Sequence, residues 1–168
     1  MGKVTVKMSK KFDKAVKETK ILSTLRLFFG VVDDKKKIDG MLVIDYMNIN
    51  ELGAKSRNIP ARPFFRKVLF QQRVAYMRIA KEQFKLVARG EKTAKDSMIT
   101  IGEYLKNAVI GSIVNGSYAP NKPSTIKAKG GKNKPLIDKL NGLNAVGFKI
   151  YKGKTIIYSD IGGTNNVR

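Results

Sequence analysis

Pro63-Phe-Phe-Arg-Lys-Val-Leu-Phe-Gln-Gln-Arg-Val-Ala-Tyr-Met-Arg-Ile-Ala-Lys-Glu-Gln-Phe-Lys-Leu-Val-Ala88 is the longest periodic stretch of the chain. A proline suits the start of a helix, where its missing N–H goes unused, and Gly90 suits the stop. Phe65, Leu69, Tyr76, Ala80, Phe84 and Val87 fall near one stripe at helical spacing, so the stretch predicts a single helix over residues 63–88. A second helix follows from Ala94 to Val114, with Met98, Ile101, Leu105, Ala108 and Ile113 on its apolar side.

The flanks read as strands. Upstream, Lys3–Met8 alternates as a short strand, and Ser9 caps a helix that runs to about Lys20. Leu25–Val32 is a strand, Asp33–Lys37 a charged turn and Gly40–Asp45 the next strand; the two strands read as an antiparallel hairpin. Tyr46–Leu52 is one helical turn closed by Gly53, and residues 54–59 form a loop. Downstream, Val146–Tyr151 and Thr155–Tyr158 form a closing hairpin. Strands, two long helices, then strands give an α+β fold: a small mixed or antiparallel β-sheet packed against two long α-helices, with a long basic loop. Residues 1–161 read as one domain, and 162–168 as a C-terminal tail that orders on partners.

The 168 residues carry a net charge of +21, with neither cysteine nor histidine. A surface this basic either sits against anions or repels itself. Nucleic acid is one such anion and an acidic protein surface is another. Without cysteine there is no disulfide or thiolate metal site; without histidine the commonest general base and metal ligand are gone. Asp33, Asp34, Asp39, Asp45, Glu51 and Asp138 form no recognisable acid–base pair. Gly130-Gly131 beside lysines lacks the spacing of a phosphate loop, and Ser124-Thr125 has no base beside it and reads as a helix cap. No enzyme, cofactor, metal or small-molecule substrate is expected. No stretch approaches the roughly 20 apolar residues of a membrane span, and no signal peptide is evident.

The cations are patterned. Arg78, Lys81, Lys85 and Arg89 recur at spacings of three, four and four on the long helix, where Glu82 is the sole acid. A solvated helix mixes signs and gains from opposite charges at i,i+4; this one mostly forgoes them, so the stripe reads either as solvated or as an interface with acid. Lys122, Lys127, Lys129, Lys132 and Lys134 line a loop that reads either as solvated or as lying along a neighbour or a phosphate backbone. Tyr118 is the loop's one aromatic, which gives poor support for stacking on single strands. Arg62 and Arg66 flank Pro63-Phe64-Phe65, whose phenylalanines read as core. One of these arginines is expected to pair with Glu51 or Asp138 and to orient the helix.

The loop is Asn115-Gly-Ser-Tyr-Ala-Pro-Asn-Lys-Pro-Ser-Thr-Ile-Lys-Ala-Lys-Gly-Gly-Lys-Asn-Lys-Pro-Leu-Ile-Asp138, with three of the chain's five prolines at 120, 123 and 135. The prolines forbid continuous helix. Pro123–Lys129 reads as one helical turn capped by Ser124 or Thr125, and Lys134–Asp138 as extended chain. This run, with Ile49-Asn-Glu-Leu-Gly53 and Ile59-Pro-Ala-Arg-Pro-Phe-Phe-Arg66, resembles the virion-morphogenesis family of tailed bacteriophages, the neck and tail-completion proteins. There Asn-Glu-Phe-Gly, Ile-Pro-x-Arg-Pro-Phe-x-Arg, a Ser-Thr-Ile turn, a Lys-Gly stretch and Lys-Pro-Leu-Ile-Asp come in the same order. The resemblance spans roughly Leu25–Arg66 and Gly111–Leu143. It departs after Asp138, where the family's Thr-Gly-x-Leu is replaced by Lys139-Leu-Asn-Gly-Leu143.

The resemblance implies a structural virion protein at the head–tail junction, in the upper tail, assembled in the host bacterial cytoplasm. Its partners would be itself, as a closed ring of roughly six or twelve copies, and neighbouring neck, connector or tail-terminator proteins, with non-specific contact to DNA in the lumen. The alternative is a basic nucleic-acid-binding protein of ribosome- or nucleoid-associated type. The charge favours it; the absence of a nucleic-acid motif and the spread of cations along the whole chain count against it.

Overall fold

The structure, a computed structural model, describes residues 9–33, 37–38, 40–128, 130–131, 133, 136 and 141–161. The strand expected at Lys3–Met8 and the 162–168 tail lie outside them. The fold is α+β. Among the described residues a three-stranded antiparallel sheet has the order β1-β4-β5, built from β1 (Leu25–Val31), β4 (Val146–Lys152) and β5 (Thr155–Ile161). Helix α5 (Ala94–Asn115) packs across one face of it. Helices α1 (Lys10–Leu22) and α4 (Arg73–Ala88) pack in turn on α5.

The central strand shows why the sheet and helix fit. In β4, Val146, Phe148 and Ile150 alternate onto the helical side and are fully buried. The Phe148 ring lies directly on Gly102 of α5, where a Cβ would collide with it. That glycine lets the helix approach the sheet at the cost of some helical propensity. Met98, Ile101 and Leu105 complete one apolar cluster around Phe148 and Leu25. A second cluster gathers Val43, Met47, Phe64, Val68, Val109, Ile113, Leu136 and Leu143. Phe29 of β1 packs against both. Lys106 of α5 and Asp160 of β5, both largely buried, form a 2.7 Å ion pair that fixes the edge strand to the helix.

Helix ends are satisfied across elements. Ser9 accepts from the Phe12 N–H and caps α1 as expected, although the helix continues to Leu22. Thr93 caps α5, and Glu18 of α1 reaches over to accept from the Ala94 N–H at 2.8 Å. Gly90 adopts φ 68° between α4 and α5, as a stop glycine should.

Several expectations need correction. Gly40–Asp45 is not the partner strand of β1. β2 (Lys37–Ile38) and β3 (Met41–Leu42) form a minimal hairpin of their own, and helix α2 (Val43–Leu52) begins at once. Val43, Met47 and Asn50 are buried at spacings of four and three, so the run is helical; a short apolar stretch cannot be told from a strand by periodicity. The partner of β1 is β4, roughly 120 residues later, in continuous register from Leu25↔Lys152 to Val31↔Val146. The stretch 63–88 is not one helix. It divides at Gln72 (φ −96°, ψ 7°) into α3 (Phe64–Gln71) and α4. The break turns Phe64 and Val68 into one cluster and Tyr76 onto the other, and Val87 is fully buried, while Leu69 and Phe84 of the expected stripe are exposed. In α5, Ala108 is only partly buried; Val109 and Ile110 fill the core beside it.

The proline-rich run does contain one turn of helix, α6 (Pro123–Ala128). Ser124 and Thr125 lie inside its first turn rather than capping it; Pro123 takes the opening position, and the Lys122 carbonyl accepts from the Ile126 N–H. Leu136, expected in extended chain, has φ 65° and is buried in the second cluster. Gly142 and Leu143 form part of a short helix, α7 (Asn141–Ala145), that leads directly into β4. The closing hairpin forms with longer strands than expected and turns on Gly153.

Candidate assembly surfaces

At the C-terminal end of α2, Asn50 and Glu51 are both buried, which is unusual for such polar residues. Gly53 ends the helix at φ 76°, and a Cβ there would press on the Ala61 amide at 2.8 Å. The chain can therefore fold back closely, held by Ala54 and Ile59 exchanging backbone hydrogen bonds. This return brings Arg62 and Arg66 beside the carboxamide and carboxylate they need.

Arg62 is 5% exposed. Its Nη1 donates to Asn50 Oδ1 at 2.6 Å, and its Nε donates to the Ala119 carbonyl at 3.0 Å. Its Nη2 donates to the Pro120 carbonyl at 3.2 Å and to Asn121 Oδ1 at 3.3 Å. Burial holds the guanidinium below its ordinary pKa, and the Tyr46 phenol works the other way. Four oxygen acceptors meet the planar fork, a geometry lysine cannot supply. Arg62 thus joins the Asn-Glu block to the proline-rich run.

Pro63 holds the N-cap position of helix α3 and offers no capping side chain. Glu51 takes that part from another helix, accepting from the Phe65 N–H at 2.8 Å and the Arg66 N–H at 3.1 Å. Arg66 closes the arrangement through Nε to Glu51 Oε1 at 3.0 Å and Nη2 to the Glu51 carbonyl at 2.8 Å. The pairing of Arg66 with Glu51 is among those expected from the sequence; Asp138 lies outside the described residues. A carboxylate at a helix N-terminus is favoured by the exposed amides and the helix dipole. Beside this clasp lies an open cleft of about 400 Å³, lined by Met41, Tyr46, Arg57, Ile59, Lys122 and Thr125 among others.

The remaining cations fall in separate places. Arg78, Lys81, Lys85 and Arg89 are all exposed along α4. Lys85 pairs with Glu82 at 2.8 Å, and this hydrogen bond is the main reason the Glu82 carboxyl sits below the usual carboxylate range. Arg78, Lys81 and Lys85 line a shallow, open apolar surface together with Met77, Ala80, Phe84 and Ala88. Arg89, past the end of α4, borders a small depression with Ser9 and Phe12 instead. Lys122 donates to the Arg57 carbonyl at 3.1 Å, and Lys127 is exposed in α6. Lys129, Lys132 and Lys134 lie outside the described residues. Tyr118 is not presented as a free platform. Its hydroxyl bonds Ser112 at 2.7 Å and the Ser112 carbonyl at 2.9 Å, Lys67 lies 5.8 Å from its ring centre, and burial raises its pKa.

Two features escape the sequence reading. Asn50 stands in the Asn-Glu segment and Asn121 in the proline-rich run, but the sequence singles out neither as a partner of Arg62. Phe70, Val74 and Met77 are 87%, 84% and 58% exposed, and their spacing of four and three did carry a signal: a second apolar stripe on a helix already provided with one. No helix among the described residues is long and apolar enough to cross a membrane. Among known proteins, no family, no curated sequence and no solved structure matches this chain.

Proposed function

We propose that the chain is a structural component of a tailed-phage particle, a neck or tail-completion protein that works by assembly rather than catalysis. The observation that carries this reading is the convergence at Arg62. The two sequence blocks that resemble the virion-morphogenesis family, residues 49–66 and 115–138, meet through that one buried guanidinium and its four acceptors. Arg62 has a physical reason to be arginine, Asn50 to be a carboxamide, and Glu51 and Arg66 to stand where they do, as parts of one clasp. The clasp anchors the root of the basic loop and leaves the exposed Lys127 beyond it for a neighbour.

In this reading the molecule closes into a ring of roughly six or twelve copies through head-to-tail contacts. The Lys122–Lys134 loop and the C-terminal tail lie along adjacent subunits or rings, and the DNA path runs through the middle. Deleting Lys127–Lys134 is expected to leave a folded protein that no longer joins heads to tails. Normal particle yield after that deletion would overturn the proposal.

The net charge of +21 favours a second reading, a nucleic-acid-binding protein. Its signature is steep salt dependence, with a slope of about −0.9 for each phosphate neutralised. Native mass spectrometry of nuclease-treated protein, alone and with a short duplex, separates the two. A discrete ring, formed alone or with neck partners, supports assembly. A monomer that takes up duplex and sheds it steeply with salt supports the rival.

A further inference from the structure

Helix α4 has two apolar faces. One packs inward: Tyr76, Ile79 and Ala80 pack on the cluster around Phe148, and Val87 is fully buried. The other faces out. Val74, Met77, Lys81, Phe84 and Ala88 recur at alternating intervals of three and four, and the same spacing extends back across the Gln72 break to Phe70. Every one of these residues is exposed. The pattern is that of a heptad seam, with Val74, Lys81 and Ala88 at a and Met77 and Phe84 at d. From Val74 to Ala88 it runs for about 21 Å at the rise of an α-helix. From Met77 to Ala88 it lines a shallow, open apolar surface together with Arg78, Ala80 and Lys85. Side chains this apolar and this exposed in one row mark an interaction surface.

The flanks say what fits. The positions beside such a seam, e and g, set partner choice through charge. Here the exposed ones at Arg73, Arg78 and Lys85 are all basic, and Lys81 places a further cation in the seam itself. A second copy of this helix is a poor match. In parallel pairing Arg73 of one copy faces Arg78 of the other, and in antiparallel pairing the e-position cations face one another. Duplex DNA would satisfy the cations and leave Phe70, Val74 and Met77 in water. A membrane surface takes a broader apolar face than a two-position seam with a lysine in its centre.

We propose that the exposed seam of α4 docks an amphipathic helix of a partner protein, one with aliphatic residues at a and d, acidic residues at e and g, and a carboxylate opposite Lys81. The proposal does not depend on the particle reading; it holds for any assembly that contains such a helix.

The test uses the full chain and a labelled synthetic helix of roughly three heptads with leucine at a and d, glutamate at e and g, and one glutamate in the seam. A matched peptide carries lysine at e and g. Fluorescence anisotropy is read at moderate salt. The acidic peptide is expected to bind and the lysine peptide to fail. Val74→Asp or Met77→Asp should weaken binding by about tenfold or more, with the helical circular dichroism signal unchanged. The pair Arg78→Glu with Lys85→Glu should reverse the preference toward the lysine peptide. No binding of the acidic peptide would overturn the proposal. So would binding indifferent to Val74→Asp and to the charge reversal. Tighter uptake of phosphatidylserine vesicles or of a DNA duplex, lost through the same substitutions, would assign the surface to those partners instead.

Discussion

The clasp around Arg62 and the outer face of α4 are made of the same residue types, arginines set among phenylalanines, and they differ in where their bonding capacity goes. In the clasp, Arg62 and Arg66 spend their donors on named oxygens within the chain, and Phe64 is fully buried between them. On α4, Arg73, Arg78 and Lys81 stand exposed with Val74 and Met77, just past the exposed Phe70 of α3, and Lys85 holds an ion pair with Glu82 along the helix. A cation with satisfied donors in a buried setting maintains the fold. A cation beside apolar surface left in water contributes little to the fold and leaves both groups free to meet something else. The contrast separates residues that shape this molecule from those available to a partner.

Substitutions should divide along the same line. Arg62→Ala strands Asn50 Oδ1 and the Ala119 and Pro120 carbonyls around a cavity, and is expected to lower unfolding free energy by about 3 kcal/mol in urea titrations. Arg62→Lys should recover little, since an ammonium cannot reach the same fork of acceptors. A loss within 0.5 kcal/mol, or so, for Arg62→Ala would break the comparison, because surface changes cost about that.

Next comes Glu51→Ala, which uncaps α3 and frees Arg66, with an expected loss of about 2 kcal/mol. Arg66→Ala should cost less, since the Arg66 side chain is 58% exposed against 10% for Glu51 and most of an exposed pair is screened. Equal losses would mean the ion pair matters more than the cap. Double-mutant cycles at Glu51 and Arg66 measure that division.

A smaller effect sits at Tyr118, whose pKa lies above the ordinary 10.0 because burial disfavours the phenolate. The folded pKa exceeds the unfolded one, so Tyr118 contributes stability that is fully present below pH 10 and is lost as pH rises through the folded value. Tyr118→Phe should remove this alkaline limb from a plot of unfolding midpoint against pH. An unchanged slope would locate the alkaline loss in other groups.

The smallest effect is expected on α4. Val74→Asp and Met77→Asp should shift unfolding by no more than about 0.5 kcal/mol, because neither side chain is buried. A loss of several times that would show that the outer row supports the fold, and the difference between the two regions would close.

Much of the fold was legible. The strand read at Leu25–Val32, the Ser9 cap, Gly53 and Gly90 as stops and the closing hairpin all follow from local composition and turn chemistry, and each is present, the strand ending at Val31. The break at Gln72 was not legible, since no proline or glycine marks it; the two helices it separates pack on different apolar clusters, and Glu51 holds the start of α3. The start of α2 at Val43 was equally hidden, because an apolar run of that length satisfies either period. Of the candidate site, the Arg66–Glu51 pair could be named from charge and spacing, whereas the bonds from Arg62 to Asn50 and Asn121 follow only once the fold brings the three together.

The sequence by itself determined the secondary elements with strong periods, the α+β class, the lack of cysteine and histidine chemistry, and a net charge of +21 that demands an anionic partner or tolerates self-repulsion. Those properties depend on residues near one another in the chain or on simple sums over it. Only the tertiary structure decided that β1 pairs with β4, that Arg62 joins segments 57 residues apart or more, and which of two apolar stripes on α4 is buried. Each of these is a choice among partners distant in sequence. It is settled by which arrangement buries Phe148 on Gly102 and satisfies the buried polar groups together, and no local pattern contains that comparison.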